Sequence, residues 1–299
     1  MSGLPTPMES RTASHLSSNV EAFEFVRELA AELSGGVITL PSYPDVALRV
    51  QRVLSDEDAS SERVVRVVGA EPVLAARVLA MANSVAMNPT GKPVADLRTA
   101  VTRLGFDALR ATVVGYAMTQ LRSAEQFKPI AKELMAQWQH SVWMAATSFV
   151  LARRQRRNNP DTAMLAGLVE GVGKLYILTR ASRHAALFAD AAVYHGIVRD
   201  WHASIARAVL EQWRMTEEII VAVQAAEQAG REERGYSNLA DVLAASSLLL
   251  TCREAPEMLA LQLPDHLAAQ RLGISLGDGG SLVAEAAAEV AALREALGH

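Results

Sequence analysis

From Val20 onward, apolar residues recur at the three-and-four spacing of helices with one buried face, and almost nowhere with the every-second-residue alternation of a strand. A chain so patterned has to bury its stripes against other helices, so the expected fold is all-α, a two-lobed helical bundle. The first stripe, Phe23, Val26, Leu29, Ala30 and Leu33, marks a helix over 20–33 that Gly35-Gly36 ends. Pro44 and Pro72 sit at first-turn positions that proline tolerates, opening helices over 44–54 and 71–83. The turn cluster Asn88-Pro89-Thr90-Gly91 precedes helices over 96–104 and 107–122. A long helix from about 130 to 157 carries His140, and Pro160 or Asp161 starts the next. Others are expected near 184–195, 202–213, 216–229 and 237–253, with 276–280 as a glycine-rich break before a last helix over 281–297. This divides the chain into a flexible leader (1–19), an N-terminal lobe (20–125), a second lobe (126–275) and a C-terminal helix (276–299), with 124–129 as the hinge.

Residues 163–178 read AMLAGLVEGVGKLYIL. The stretch resembles the signature helix of the HD superfamily of metal-dependent phosphohydrolases, where a G-L-L-H-D-I-G-K pattern sets a His-Asp pair in a bundle core. Here Glu170 stands at the His and Gly171 at the Asp, and glycine offers no donor atom to a metal. Four more blocks, in order, are similar to one branch of that superfamily, the HDOD domain. They are LPSYPDVALRVQRVLSDEDASSERVVRVVGAEPVLAARVLAMANS (40–84), DLRTAVTRLGFDALRATVVGYAM (96–118), WQHSVWMAA (138–146) and HASIARAVLEQWRMTEEIIVAV (202–223). The second contains the family's L-R-x-A-x-x-x-L-G-x-x-x-L-R segment. The resemblance covers roughly 37–250, and the order of the five blocks is far more specific than any one motif. The resemblance implies an HD-like second lobe and a bacterial regulatory role exercised through binding, alone or beside receiver, cyclic-dinucleotide or kinase-type domains.

A divalent ion that activates water needs several imidazole and carboxylate donors. The resemblance maps the first ligand onto His140, the central pair onto Glu170 and Gly171, a following Lys onto Lys174 and a later His onto His202. The usual second His falls at Ala226 and Glu227, and the last Asp near Ser246 and Ser247. His140, Glu170, Lys174, His202 and Glu227 are therefore the candidate ligand-contact or partner-contact residues of a former catalytic pocket, with no catalytic residue, metal or cofactor expected. Glu170, one position before the missing Asp, projects about 100° away from it on a helix. It stands in the favourable acid-first order four residues before Lys174, a pair expected to close part of the pocket.

Composition narrows the alternatives. Hydrophobic residues make up 50% of the chain but aromatics only 5%, usage that favours helix over sheet. A net charge of −4 gives no bulk attraction to nucleic acid or anionic lipid. Arg153, Arg154, Arg156 and Arg157 could form an anion patch, but the plainer reading is a solvated helix end whose cations complement the macrodipole. Trp138, Trp143, Trp201 and Trp213 read as core anchors. A single cysteine, Cys252, excludes an internal disulfide and suits a reducing cytoplasm. The N-terminal twenty residues lack a secretory signal, no apolar stretch reads as a membrane span, and no further receiver, cyclase or DNA-binding segment is visible. GLVEGVGKL fails as a phosphate loop because its Gly spacing is one too long and Leu175 replaces the Ser or Thr. Two function classes remain. One is a non-catalytic signalling module contacting a signalling or transcriptional protein or a small nucleotide regulator; the other is a metal-dependent phosphohydrolase acting on nucleotides or cyclic dinucleotides.

Overall fold

A computed structural model describes residues 7–36, 38, 40, 43–56, 58–184, 187–188, 190–229 and 238–297. The helices are α1 (Pro7–Ser34), α2 (Asp45–Leu54), α3 (Ser61–Gly69), α4 (Pro72–Asn83), α5 (Leu97–Arg122), α6 (Ala131–Gln155), α7 (Pro160–Val169), α8 (Val172–Ala181), α9 (Ala191–Gln212), α10 (Glu217–Ala229), α11 (Asn238–Thr251), α12 (Pro256–Gln262), α13 (Leu267–Arg271) and α14 (Leu276–Leu297). No strand forms among the described residues, so the fold is all-α.

Local chemistry starts these helices where the sequence suggests. Asp96 accepts from the Thr99 amide at 2.8 Å to begin α5, and Asn159 accepts from the Asp161 amide at 2.8 Å to begin α7 just ahead of Pro160. The two helices expected on either side of Leu104-Gly105 are the two halves of α5, broken at Gly105, where φ is 69°. The 124–129 segment becomes a 3-10 turn, Glu125–Ile130, whose Phe127 and Ile130 are buried.

Helices α2 to α5 pack on one another, and α7 joins them to the rest by crossing both α5 and α6. Polar ties fix that junction. Asp107 accepts from Thr162 Oγ1 at 2.6 Å, and Arg110, 3.2 Å from Asp107, donates to the Leu54 carbonyl at 2.7 Å. Tyr43 stacks on Trp213 with 4.7 Å between ring centroids, so Trp213 is a core anchor. Trp138 is buried too, whereas Trp143 and Trp201 are only partly covered.

Several expectations need correction. Helix α1 begins at Pro7, inside the stretch read as a leader; residues 1–6 lie outside the described residues. Once Phe25 and Leu29 are buried, extending the helix N-terminally costs far less than nucleating it. The helices expected over 184–195 and 202–213 are a single one, α9, started by Asp190, which accepts from the Ala192 and Val193 amides. The signature segment is two helices, α7 and α8, because the chain turns at Glu170-Gly171. The 276–280 segment is no break. There α14 begins, with Asp278 accepting from the Ser275 amide at 3.0 Å and hydroxyl at 2.6 Å in a capping-box arrangement, and Gly279 pressed so close to α12 that a Cβ would lie 2.6 Å from Leu259. Lastly, 160–181 is long and apolar enough to cross a membrane, although 83% of its apolar window is buried in the fold, as a core segment requires.

Helix α14 packs on α4, α5 and α6, spanning both halves of the molecule. Arg154 docks it, pairing with Glu285, donating to Ser281 at 3.1 Å and approaching Asp278 at 3.9 Å. Because these groups are a third or more exposed, Arg154→Ala is expected to cost only about 1 kcal/mol. Its signature is local: amides of α14 should exchange faster while those of α7 and α8 do not. Uniform acceleration would mean that α14 is not docked through this residue.

Candidate functional site

Three glycines shape the centre of the molecule. Gly167 lets α7 lie on α6, since a Cβ there would stand 2.6 Å from the Met144 carbonyl oxygen. Gly173 lets α8 lie on α9, since a Cβ would strike the His202 carbonyl oxygen. Gly171, at the position of the missing Asp, is covered by Gln137 of α6, whose amide nitrogen fills the space a Cβ would need. The place is therefore filled by an amide rather than left open.

Around this point α6, the end of α7, α8, α9 and α10 bring all five candidate residues together in a chain of polar contacts. His140 Nε2 lies 3.5 Å from Glu170 Oε2, Lys174 Nζ lies 3.5 Å from Glu170 Oε1 and 3.7 Å from Glu227 Oε1, and His202 Nε2 lies 3.2 Å from Glu227 Oε1. Glu170 is largely buried, with 12% of its side chain exposed, and its Oε2 has the imidazole beside it but no hydrogen bond. Burial by itself would raise the Glu170 carboxyl. His140, Lys174 and His202 outweigh it and hold the group at about 2. The His202 imidazole beside Glu227 likewise holds that carboxyl below the usual range.

A structural zinc ion takes four donors at roughly 2.0–2.3 Å. Here the two carboxylates converge on the Lys174 ammonium, and no three His, Cys, Asp or Glu side chains among the described residues are arranged around a common point suited to a metal. As they stand, the residues do not fit a divalent ion. Of the other mapped positions, Ala226 and Ser247 line the cleft, while Ser246 is sealed in the core, 3.1 Å from Ser148 Oγ.

His140, Glu170, Lys174 and Glu227 of this chain line a cleft of about 520 Å3, within the roughly 300–1,000 Å3 typical of small-molecule sites, and His202 stands behind Glu227. Arg199, Gln262 and His266 line it as well. A second cleft of about 570 Å3 shares His140 and Lys174 and is walled by Phe188, Tyr194 and His195. Burial, followed by the nearby Glu133 carboxylate, pushes the Tyr194 hydroxyl up to about 12, so it stays a neutral donor. None of these extra residues was singled out from the sequence. Gln137 and Arg199 could have been, because each stands one helical turn before a mapped histidine, three residues from His140 and His202 respectively.

The arginine cluster lies elsewhere. Arg154 and Arg153 face the Glu285 carboxylate, with Arg153 at 3.9 Å, and Arg156 closes α6 in a left-handed conformation with φ 54°. For Arg153 and Arg154, helix α14 supplies a carboxylate that the local sequence does not.

Comparison with known proteins agrees with this architecture. The family model for the HDOD domain matches residues 40–229. Among solved structures, a protein named as a candidate metal-dependent phosphohydrolase from Shewanella amazonensis SB2B is 24% identical, with a TM-score of 0.67 over 91% of this chain and 99% of that one. An HDOD domain protein of unknown function from Geobacter sulfurreducens is 24% identical, with a TM-score of 0.61 over 90% of this chain and 96% of that one. A candidate signal transduction protein from Marinobacter aquaeolei VT8 is 21% identical, with a TM-score of 0.60 over 95% of this chain and 66% of that one. At such identities the likeness concerns the fold. A comparison with curated proteins finds no match. With the family model spanning the four helical blocks and the Glu170-Gly171 segment, the chain belongs to the HDOD family.

Proposed function

We propose that this protein is a non-catalytic regulatory module whose cleft binds a signalling or transcriptional partner, or a small nucleotide regulator, through His140, Glu170, Lys174, His202 and Glu227. One observation carries the reading. The Lys174 ammonium stands between Glu170 and Glu227, 3.5 and 3.7 Å from their carboxylates, so the pocket supplies its own cation where a hydrolase needs a divalent one. The cleft beside it is large enough for a small ligand and is bordered by groups of both signs, Glu170, Glu227, Lys174 and Arg199. The HDOD membership and the fold shared with a candidate signal transduction protein support a regulatory role.

The test is metal analysis of the purified chain together with assays on nucleotides and cyclic dinucleotides in added manganese. The expected result is no stoichiometric metal and no turnover above that of a His140→Ala variant. Stoichiometric iron, manganese or zinc, with phosphodiester hydrolysis that His140→Ala abolishes, would overturn the proposal and favour the phosphohydrolase.

A further inference from the structure

The second cleft, of about 570 Å3, differs in chemistry from its neighbour. Ala136, Leu178 and Ala191 give it apolar surface, and Phe188, Tyr194 and His195 give it an aromatic side. The Phe188 and Tyr194 ring centroids are 5.3 Å apart with their planes tilted by 37°, and the His195 ring is 5.7 Å from Tyr194 at 67°. Histidines aside, two charged side chains line this cleft, Glu133 and Lys174. The charge of the lysine is already answered by Glu170 and Glu227. Glu133 makes no ion pair or hydrogen bond among the described residues, and it lies near enough to Tyr194 to act on its hydroxyl. A carboxylate in the first turn of a helix is ordinary. One that also borders a cleft with an aromatic side leaves a negative charge unanswered on an apolar surface.

That combination selects among cations. A metal ion needs several donor atoms, and a single free carboxylate does not supply them. A primary ammonium brings three N–H donors that each need an acceptor, and the apolar and aromatic surface offers few. A trialkylated ammonium has no N–H to satisfy. It turns methyl groups toward Ala136, Leu178 and Ala191, and aromatic faces attract it within about 6 Å of their centroids.

We propose that the second cleft binds a quaternary ammonium group, held by the Phe188 and Tyr194 rings and the Glu133 carboxylate. Because this cleft shares His140 and Lys174 with its neighbour, a guest here borders the wall of the first site. The inference does not depend on what that first site binds.

The full chain is to be titrated with choline at constant ionic strength, with binding followed by proton NMR of the ligand. The reference ligand is the uncharged alcohol of the same shape, in which carbon replaces the choline nitrogen. Saturable binding of choline is expected, about tenfold tighter than that of the alcohol. Glu133→Gln and Phe188→Leu should each weaken choline binding roughly fivefold. Both side chains are exposed, so the variants should fold as the wild type does. Glu62→Gln removes the same charge from α3 and should change nothing. Equal affinity for choline and the alcohol would mean an apolar cleft blind to charge and would overturn the proposal. So would the absence of saturable choline binding, or choline binding that survives either cleft substitution unchanged.

Discussion

Gly173→Ala is expected to destabilise the protein by about 3 kcal/mol or more, the upper end of overpacking penalties. Most overpacked sites relax by moving a side chain. Here the obstacle is backbone: the new Cβ would strike the His202 carbonyl oxygen and come within 3.1 Å of the Ala206 amide nitrogen. Helices α8 and α9 would have to separate, carrying Lys174 away from His202 and Glu227. At roughly 2–4 °C per kcal/mol for a chain of this size, Tm should fall by about 10 °C. Gly196→Ala is the control, since nothing lies within 4 Å of its Cβ position on α9. It should stabilise the fold by about 0.5–1 kcal/mol through helix propensity alone. Urea unfolding of the two variants checks both signs; a loss under about 1 kcal/mol for Gly173→Ala would show that the α8–α9 approach is not as tight as described.

Lys174→Met is expected to cost about 2 kcal/mol at neutral pH. Breaking a buried pair costs roughly 3–5 kcal/mol when the remaining charge is sealed. Glu170 is nearly so, with 12% of its side chain exposed, and the lysine is 32% exposed, which places the expected loss below that range. The sign of the pH dependence follows from Glu170, whose folded carboxyl is lowered from 4.5 to about 2. Its contribution is present in full above about pH 4.5 and is lost as pH falls toward 2. Removing Lys174 takes away one of the charges that hold the carboxyl down, so the variant loses this contribution at a higher pH. The gap between wild type and variant should therefore narrow as the solution is acidified. Adding Glu170→Leu to Lys174→Met should restore much of the stability, because replacing both charges by apolar side chains spares the desolvation cost. Equal urea midpoints for wild type and Lys174→Met at neutral pH would mean that the ammonium does not hold the two carboxylates.

What could be read locally was read well, and the misses share a cause. Asp96, Pro72 and Pro160 are starts whose chemistry lies within a few residues, and the helices begin there. Glycine misled in both directions. Gly277, Gly279 and Gly280 resemble a break, yet they lie inside α14, where Gly279 leaves room for Leu259, which is twenty residues away. Gly171 lies within an apolar run that reads as one helix, yet the chain turns there.

For the site, the five blocks and their order pointed to His140, Glu170, Lys174, His202 and Glu227, and the resemblance implies that Gly171 stands where an HD centre has its Asp. The sequence by itself thus determined the all-α class, the family and the chemistry that position 171 cannot perform, since periodicity, capping and side-chain identity are all local properties. Tertiary structure alone decided that Gln137 occupies that position, that Lys174 bridges two carboxylates on different helices, and that Arg154 spends its charge on α14. Each of these depends on how closely two helices approach, and that distance is set by packing between residues far apart in the chain.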